Sequence, residues 1–271
     1  MQSIYKFILK RPFFRGQDRI FNYLFTKHKF KKAVQIDEPL EGNFKIYCDT
    51  STWIGGKIAY TGDYEPELKK VFKSIIKPGD HILDIGANIG FHTIYFAQLT
   101  GNMGRVTAFE PVPHNYLALR KNIELNNFTN ITSHNIALSN KNEQIKIQAD
   151  LKSTNPGAYN LFDQNGNVSI KCFVGDEIIV DRKVDFIKID VEGYESFVLD
   201  GLIETIKKNK PKIIFEYDKH YHIKTGRAED YIFILLTSLN YGFEYIHRNG
   251  LRKIINFENL VSGNILAVPN D

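Results

Sequence analysis

The segment Leu83-Asp-Ile-Gly-Ala-Asn-Ile-Gly-Phe-His-Thr93 decides the fold. A short apolar run, His81 to Ile85, leads into this segment, and helical spacing begins at Phe91. Gly86 and Gly90 allow a tight turn between strand and helix and let a ligand approach the backbone closely. Because the first turn of a helix offers free N–H groups and a positive dipole end, we expect an anionic group of a ligand there.

The same alternation of short apolar runs and longer helical stretches continues along the chain. The predicted strands are His81–Ile85, Arg105–Phe109, Ile131–Ile136, Val184–Ile189 and Lys212–Phe215, and the predicted helices are Phe91–Leu99, Asn115–Asn126, Glu195–Lys208 and Ala228–Leu239. Such alternation predicts an α/β fold in which a parallel sheet carries helices on both faces. Tyr241–His247 and Asn264–Val268 are predicted to form an antiparallel hairpin at the sheet edge.

The stretch Glu143–Phe173 interrupts this alternation. It holds turn signals at Asn155-Pro-Gly157 and Gln164-Asn-Gly166 between polar, strand-like pieces. We expect it to form an insertion near the mouth of the sheet. The whole unit of alternating strands and helices, residues 79–271, is predicted to be the main domain.

Two segments precede the main domain. Residues 43–78 are predicted to be a lid or leader in which Asn43–Cys48 and Trp53–Tyr60 form a hairpin-like piece broken by Gly55-Gly56. Residues 1–42 form a basic, aromatic arm. Its basic residues up to Ala33 are Lys6, Lys10, Arg11, Arg15, Arg19, Lys27, Lys29, Lys31 and Lys32, against the single acid Asp18.

The arm has two interpretations. In the first interpretation, the arm forms one or two solvated helices whose aromatic residues pack on the domain. Alternatively it makes peripheral contact with an anionic membrane surface, where each basic residue contributes on the order of 1 kcal/mol. No apolar run approaches the length of a membrane span, and Ile4–Leu9 is too short for a signal-peptide core. We therefore expect a cytoplasmic protein, located at the inner face of the membrane if the arm binds lipid.

Charge and cysteine content exclude further classes. The formal net charge of +4 is small for 271 residues and does not by itself favour a nucleic-acid partner. Cys48 and Cys172 lie far apart with no metal-binding spacing, so neither a disulfide framework nor a zinc site is indicated.

Two features, one inside the glycine loop and one after the next strand, narrow the choice of ligand. The second predicted strand ends at Glu110-Pro111, roughly twenty residues past the loop, where a carboxylate can accept hydrogen bonds from both hydroxyls of a ribose. Asn88 occupies the position of the second glycine of a dinucleotide fingerprint and obstructs a pyrophosphate. A nucleoside with a carboxylate therefore fits better than NAD. Asn135-Ile-Ala137 ends the third strand, and Asn135 and Ala137 are predicted to form the wall under the adenine.

Several segments resemble the FkbM family of S-adenosylmethionine-dependent methyltransferases. They are LDIGANIGFHT (Leu83–Thr93), FEPVP (Phe109–Pro113), ALS (Ala137–Ser139) and above all IKIDVEGYE (Ile187–Glu195). Gly62-Asp-Tyr-Glu-Pro66 with Lys77-Pro-Gly79 resembles the approach to the first strand, so the resemblance covers about residues 43–268. It implies a Rossmann-like seven-stranded methyltransferase sheet, mostly parallel with one antiparallel strand, and S-adenosyl-L-methionine as the cofactor.

The resemblance also implies roles for individual residues. The loop residues Asp84, Gly86, Ala87, Asn88 and Gly90 would surround the methionine end of the cofactor. On the following strand, Glu110 would bind its ribose, with Pro111 beside it. Glu65 would either reach the cofactor amine from the lid or serve as the first-turn acid of the next helix.

Methyl transfer to a hydroxyl requires an acceptor oxygen held behind the methyl group and a base that takes its proton. The segment Asp190-Val-Glu192-Gly-Tyr-Glu195 follows the fourth strand and offers three carboxylates. Asp190 would face the cofactor's positive groups or the acceptor, Glu192 would be the base or a helix cap, and Glu195 would meet the helix dipole. His220, after the fifth strand, is another candidate base.

A divalent cation held by Asp190, Glu216 and Asp218 is an alternative that we do not favour. The sequence therefore predicts an O-methyltransferase that acts on a hydroxyl of a glycan sugar or of a small secondary metabolite. An NAD-dependent oxidoreductase, and an RNA-binding or RNA-modifying protein recruited by the arm, are the alternative functions.

Overall fold

The computed structural model describes residues 1–148, 166–180, 183–257 and 260–270. Its helices are α1 (Gln2–Leu9), α2 (Gln17–Thr26), α3 (Trp53–Thr61), α4 (Pro66–Ile75), α5 (Phe91–Thr100), α6 (Pro113–Asn126), α7 (Gly175–Ile178), α8 (Glu195–Gly201), α9 (Ile203–Asn209), α10 (Lys219–Lys224) and α11 (Tyr231–Ser238). Its strands are β1 (Val34–Asp37), β2 (Ile46–Asp49), β3 (His81–Ile85), β4 (Arg105–Phe109), β5 (Ile131–His134), β6 (Ala137–Ser139), β7 (Glu143–Ile147), β8 (Val168–Val174), β9 (Phe186–Ile189), β10 (Lys212–Asp218), β11 (Tyr241–His247), β12 (Gly250–Lys253) and β13 (Ser262–Pro269).

The main sheet has eight strands in the order β12-β11-β13-β10-β9-β3-β4-β5. The five strands from β10 to β5 run parallel, and β13 lies antiparallel between β10 and β11. All seven predicted strands are therefore present, and the mostly parallel sheet is confirmed. The prediction of one antiparallel strand is incomplete, because β12 pairs antiparallel with β11 and adds an eighth strand at the edge.

Helices cover both faces of this sheet, as predicted. Ile82 of β3 faces the layer that contains Phe72 of α4 and Phe96 of α5. The next residue, Leu83, faces the opposite layer with Leu199 of α8 and Phe233 of α11. Because successive strand residues point to opposite faces and both faces are covered, the inner strands are apolar at almost every position. Because β3, β4, β9 and β10 run parallel, their carboxyl ends meet at one edge of the sheet, and the predicted motifs lie at this edge.

The predicted hairpin at residues 53–60 is wrong, because this stretch forms α3. Thr52 caps the helix by accepting a hydrogen bond from Gly55 N–H at 3.1 Å. A Cβ atom at Gly55 would lie 2.2 Å from the Asp49 carbonyl oxygen, so this glycine serves a close contact with the end of β2. The true partner of β2 is β1, with Ile36 opposite Tyr47.

The arm packs against the rest of the protein. Phe21 and Phe30 are buried and stack with ring centroids 5.4 Å apart. The prediction of helices whose aromatic residues pack on the domain is confirmed for α1 and α2, which both contact α3. Ile4 and Phe7 remain 58% and 79% exposed, and contact with a membrane surface stays a prediction. Across the described ranges, no helix is both long and apolar enough to cross a bilayer.

The predicted insertion begins and ends as strands. Within it β7 pairs antiparallel with β8, with Ile145 opposite Ile170, and β6 pairs parallel with β8 on the other side. The turn at Asn155-Pro-Gly157, and Gln164-Asn165 of the second turn, lie outside the described residues. A single helix was predicted over residues 195–208, but two helices, α8 and α9, meet at Leu202.

Candidate active site

A cavity of about 980 Å³, including its open mouth, lies at the carboxyl ends of the parallel strands. Its lining is Trp53, Ile54, Tyr64, Glu65, Ile85, Gly86, Asn88, Phe109, Glu110, Pro111, Val112, Ile136, Ala137, Leu138, Asp190, Val191, Glu192, Tyr194 and Glu216. This lining, taken over the described residues, contains five carboxylic acids and no lysine, arginine or histidine. It therefore suits a ligand that carries positive charge and disfavours the pyrophosphate of a dinucleotide.

The glycine loop forms the floor of this cavity. Gly86 has φ +80°, and a Cβ atom there would lie 1.8 Å from the Asp190 carbonyl oxygen. The N–H groups of Gly86 and Ala87 donate to the Phe109 carbonyl oxygen at 2.9 and 3.0 Å. Asn88 N–H donates to Glu110 Oε2 at 2.8 Å. These three hydrogen bonds hold the loop to the end of β4. The first turn of α5 follows the loop and remains the predicted binding place for an anionic group of the ligand.

Asp84 and Gly90 lie behind the loop and do not line the cavity. The Asp84 carboxylate is fully buried and accepts a hydrogen bond from the Thr93 hydroxyl at 2.5 Å. A Cβ atom at Gly90 would lie 2.6 Å from Leu119 Cδ1 on α6. Asp84 and Gly90 thus fix the loop and the start of α5, and the cofactor contact that the resemblance implies for them stays a prediction.

Glu110 is 4% exposed and lines the cavity at the tip of β4. Its Oε2 accepts the Asn88 N–H, and its Oε1 accepts the Val112 N–H at 2.9 Å. Burial raises the pKa of Glu110 to about 7. Each carboxylate oxygen retains a further lone pair, so the side chain is held in place and can still accept from ribose hydroxyls.

Only one of the two residues predicted to form the wall under the adenine lines the cavity. The Asn135 amide is exposed and donates to the carbonyl oxygens of Glu110 and Pro111 at 2.8 and 3.0 Å. It thus braces the turn after β4 and does not line the cavity. Ala137 lines the cavity as predicted, together with its neighbours Ile136 and Leu138.

Lys188 is a component of the site that the sequence did not reveal. Its ammonium group is buried, 3.0 Å from Asp190 Oδ2 and 3.8 Å from Asp84 Oδ1. Burial opposes ionisation of Asp190, but Lys188 outweighs that effect and holds the pKa of Asp190 below its ordinary value. Asp190 is therefore anionic and fixed in place.

The other two carboxyl groups at this mouth have raised pKa values. Burial and the charge of Asp190 raise the pKa of Glu192 to about 7. Burial, Asp190 and Glu192 raise the pKa of Glu216 to about 9. Glu192 does not cap a helix, because α8 begins only at Glu195. At neutral pH the mouth thus holds an ionised Asp190, a protonated Glu216 and a half-ionised Glu192.

Three of the seven non-glycine residues that have positive φ in the described part of the chain line the same cavity. Glu65, Asn88 and Glu192 adopt left-handed conformations with φ of 51°, 52° and 53°, although none is a glycine. Each costs roughly 1–2 kcal/mol relative to right-handed backbone. Glu65 is further held by His92, whose Nε2 lies 2.8 Å from Glu65 Oε2. Strain of this kind persists where the surrounding structure fixes a functional geometry.

His220 and Asp218 do not join the cavity lining. His220 is exposed on α10, and its backbone N–H donates to Asp218 Oδ1 at 2.8 Å. The Asp218 side chain therefore accepts from the first turn of α10, and the predicted metal-binding trio loses its third ligand while Asp190 and Glu216 remain in the lining. Within the described part of the chain, no group of three or more His, Cys, Asp or Glu side chains has an arrangement suited to a metal ion.

The raised pKa of Glu216 predicts a pH-dependent gain of stability when the group is removed. Between its ordinary value of 4.5 and about 9, the folded state holds more protons than the unfolded state, so this group destabilises the fold as pH rises. Glu216→Gln should therefore be more stable than the wild type at pH 8, by about 2 kcal/mol, and no more stable near pH 4.5. Urea unfolding at both pH values measures the difference. Exposed Glu124→Gln is the control, and an equal gain at both pH values would contradict the prediction.

A mostly parallel sheet with an acidic cavity at the carboxyl ends of its strands is the arrangement expected of an α/β enzyme that binds a positively charged ligand. The model of the methyltransferase FkbM domain matches residues 84–245, which is more than half of the chain. The chain belongs to the FkbM methyltransferase family. The model of protein-L-isoaspartate(D-aspartate) O-methyltransferase matches residues 25–138.

Individual relatives share part of the chain. Methyltransferase 1 of Beauveria bassiana is 27% identical over 146 residues, 45% of this chain and 57% of that protein. Hexuronic acid methyltransferase AglP of Haloferax volcanii is 30% identical over 146 residues, 53% of this chain and 58% of that protein. The chain thus spans less than two thirds of the length of either relative. The crystal structure of a methyltransferase FkbM from Methylobacillus flagellatus has a TM-score of 0.47 and 18% identity, covering 78% of this chain and 52% of that one.

S-adenosylmethionine is the cofactor of this family, and the residues present fit it. A sulfonium and an amine suit the acidic mouth formed by Glu65, Asp190, Glu192 and Glu216. The buried carboxylate of Glu110 suits the ribose hydroxyls. The backbone of Gly86 leaves a cradle that a Cβ atom would close.

Proposed function

We propose that this chain transfers a methyl group from S-adenosylmethionine to a hydroxyl oxygen of a sugar, either in a glycan or in a small metabolite. The observation that carries the proposal is a carboxylate of pKa about 7, Glu192, in a cavity that otherwise suits a cationic methyl donor. A general base works best when its pKa lies near the working pH. The resemblance to a hexuronic acid methyltransferase supports a sugar as the acceptor.

S-adenosylmethionine, which Glu110 and the loop at Gly86 would hold, would supply a methyl carbon bound to a positively charged sulfur, so that transfer would replace the carbon–sulfur bond by a carbon–oxygen bond and release S-adenosylhomocysteine. Glu192 accepts the proton of the acceptor hydroxyl, because an alcohol is a weak nucleophile while it keeps that proton. Asp190 stays ionised beside Lys188 and orients the positive groups at the mouth. Trp53, Ile54 and Tyr64 supply large, mostly apolar side chains to the cavity lining.

Cofactor binding tests the first half of this proposal. Calorimetric titration with S-adenosylmethionine and S-adenosylhomocysteine, with and without magnesium, should show one saturable site whose affinity does not depend on the metal. Glu110→Ala should weaken binding about 10- to 100-fold, because it removes a charged acceptor and releases the Asn88 and Val112 amides. Glu124→Ala, at an exposed position on α6, should bind normally.

The product tests the second half. Incubation with isotopically labelled S-adenosylmethionine and sugar acceptors should yield a methyl ether, identified by mass spectrometry. A methyl ester, a methylated amine, or binding without transfer to any hydroxyl would overturn the assignment as a sugar O-methyltransferase.

A further inference from the structure

A second cavity, of about 1580 Å³ including its open mouth, adjoins the first on the side of the arm. Its lining is Arg11, Pro12, Phe13, Gln17, Asp18, Asn22, Leu40, Glu41, Trp53, Lys57, Thr61, Asp63, Tyr64, Glu65, Pro66, Glu67, Lys70 and Arg248. Trp53, Tyr64 and Glu65 line both cavities, so the two spaces meet at these side chains. A molecule in the second cavity is therefore placed beside the acidic mouth of the first.

The arm side of this second cavity carries excess positive charge. Lys57 and Arg248 both form ion pairs with the single carboxylate of Asp18. Arg11 adds a third cation, and its guanidinium donates to the Phe7 carbonyl oxygen at 2.6 Å. This part of the lining thus has three cations and one acid, and the rest of the lining adds Lys70 and four acids, Glu41, Asp63, Glu65 and Glu67. The Lys57 side chain is 8% exposed, and the long-range charge of this group is consequently less screened by solvent.

Two of the four remaining acids of the lining form ion pairs with lysines. Asp63 pairs with the buried Lys69 at 2.9 Å, and Glu41 pairs with Lys73 at 3.1 Å. Positive charge therefore dominates at the arm end and negative charge at the end that meets Glu65. A bound molecule would be oriented by this difference along the cavity.

Aromatic rings accompany the cations. The Arg248 guanidinium lies 4.5 Å from the ring centroid of Phe13, and the Lys57 ammonium lies 5.9 Å from that of Trp53. Trp53 is held by a hydrogen bond from its indole N–H to Asn22 at 3.0 Å. Rigid aromatic faces beside hydrogen-bonding groups suit the apolar face and hydroxyls of a sugar ring.

Every residue that lines the second cavity lies outside residues 84–245, the part of the chain that matches the FkbM domain. The arm, the lid and the turn after β11 thus add this cavity to a shared cofactor-binding unit. Acceptor selection is the function expected of such additions, because loops and appended segments carry specificity on a common fold.

We infer that the second cavity binds the acceptor, and that this acceptor is a sugar bearing a carboxylate, which Arg248, Lys57 and Arg11 hold at the arm end while its hydroxyl reaches Glu192. This inference rests on the proposed function for the reaction itself. The contrast between the two cavities carries it: the first has only acids among its charged lining residues, whereas the second has four cations beside five acids, with Lys57 and Arg248 gathered around Asp18 at the arm end. The charged lining residues of the two cavities together orient an acidic sugar.

Direct binding tests the inference independently of turnover. Protein saturated with S-adenosylhomocysteine is titrated with methyl β-glucuronide and with methyl β-glucoside, which differ only in the carboxylate. The glucuronide should bind at least about tenfold more tightly, and added salt should reduce the difference. Equal binding of the two probes, or no binding of either, would overturn the inference.

Two variants locate the carboxylate. Arg248→Gln should remove the preference for the glucuronide, while Arg252→Gln, at an exposed position of the same hairpin outside the cavity, should keep it. Cofactor affinity should be unchanged in both variants. Methyl transfer to neutral and acidic sugars at equal KM would leave the proposed function intact and refute the carboxylate preference. Selective binding of the glucuronide without any methyl ether product would do the reverse.

Discussion

Replacing Glu192 with glutamine is expected to lower kcat about 10²- to 10⁴-fold and to leave S-adenosylmethionine affinity nearly unchanged. Glutamine keeps the size of the side chain and its hydrogen-bonding oxygen but cannot accept the hydroxyl proton. The left-handed backbone at this position remains the same in both proteins. Initial rates of methyl ether formation, with calorimetric affinities measured in parallel, give the comparison.

The pH profile separates a base from a merely structural carboxyl group. The pKa of Glu192 is about 7, and the carboxylate is the active form, so the wild-type rate should rise about tenfold per pH unit below 7 and level off above it. The residual activity of Glu192→Gln should lack this limb. The control variant Glu124→Gln should keep the rise of the rate below pH 7. If Glu192→Gln also keeps this rise, another residue is the base. Unchanged turnover in Glu192→Gln would reject the assignment outright.

Gly86→Ala is expected to destabilise the fold by at least about 3 kcal/mol and to abolish cofactor binding. Two effects add: left-handed backbone costs an alanine roughly 1–2 kcal/mol, and the new methyl group would lie 1.8 Å from the Asp190 carbonyl oxygen. The loop and the tip of β9 must move apart to relieve that contact. Because both line the cavity, cofactor affinity falls with stability.

Gly79→Ala is the matched control for this change. Gly79 also has positive φ, +93°, but nothing lies within 4 Å of a Cβ atom there. It should lose only the backbone contribution, about 1–2 kcal/mol, and should bind the cofactor normally. Urea unfolding and calorimetry compare the two variants. Similar losses of stability and affinity in both would show that the contact with Asp190 has no role.

Much of the cofactor site could be predicted from the sequence because its signals are local. The glycine loop needs a turn between one strand and the next helix, and Glu110 follows directly on the end of the next strand. Short apolar runs mark the strands, because strands that are buried on both faces are apolar at almost every position. The interval between Gly86 and Glu110 then follows from the length of one strand–helix–strand unit.

Other features escaped because they depend on contacts between distant segments. Gly55 marks a close contact with Asp49, although in sequence two adjacent glycines are typical of a turn. In the sequence, Lys188 looks like an exposed lysine between apolar residues of β9. Only the folded sheet brings Asp84 of β3 close to it, so that Lys188 becomes a buried ion-pair partner. Asn135 has the position of a ligand-wall residue, but its amide turns to brace the backbone after β4.

The sequence by itself determined the class of fold, the glycine loop and the carboxylate that follows β4, because these depend on periodicity and on neighbours along the chain. The tertiary structure alone decided which acid at the mouth has a pKa near 7. Burial and the charges of groups on other strands set that value for Glu192, and lower that of Asp190. The tertiary structure also decided that the arm, the lid and Arg248 enclose a second cavity, because these segments meet only when the chain folds.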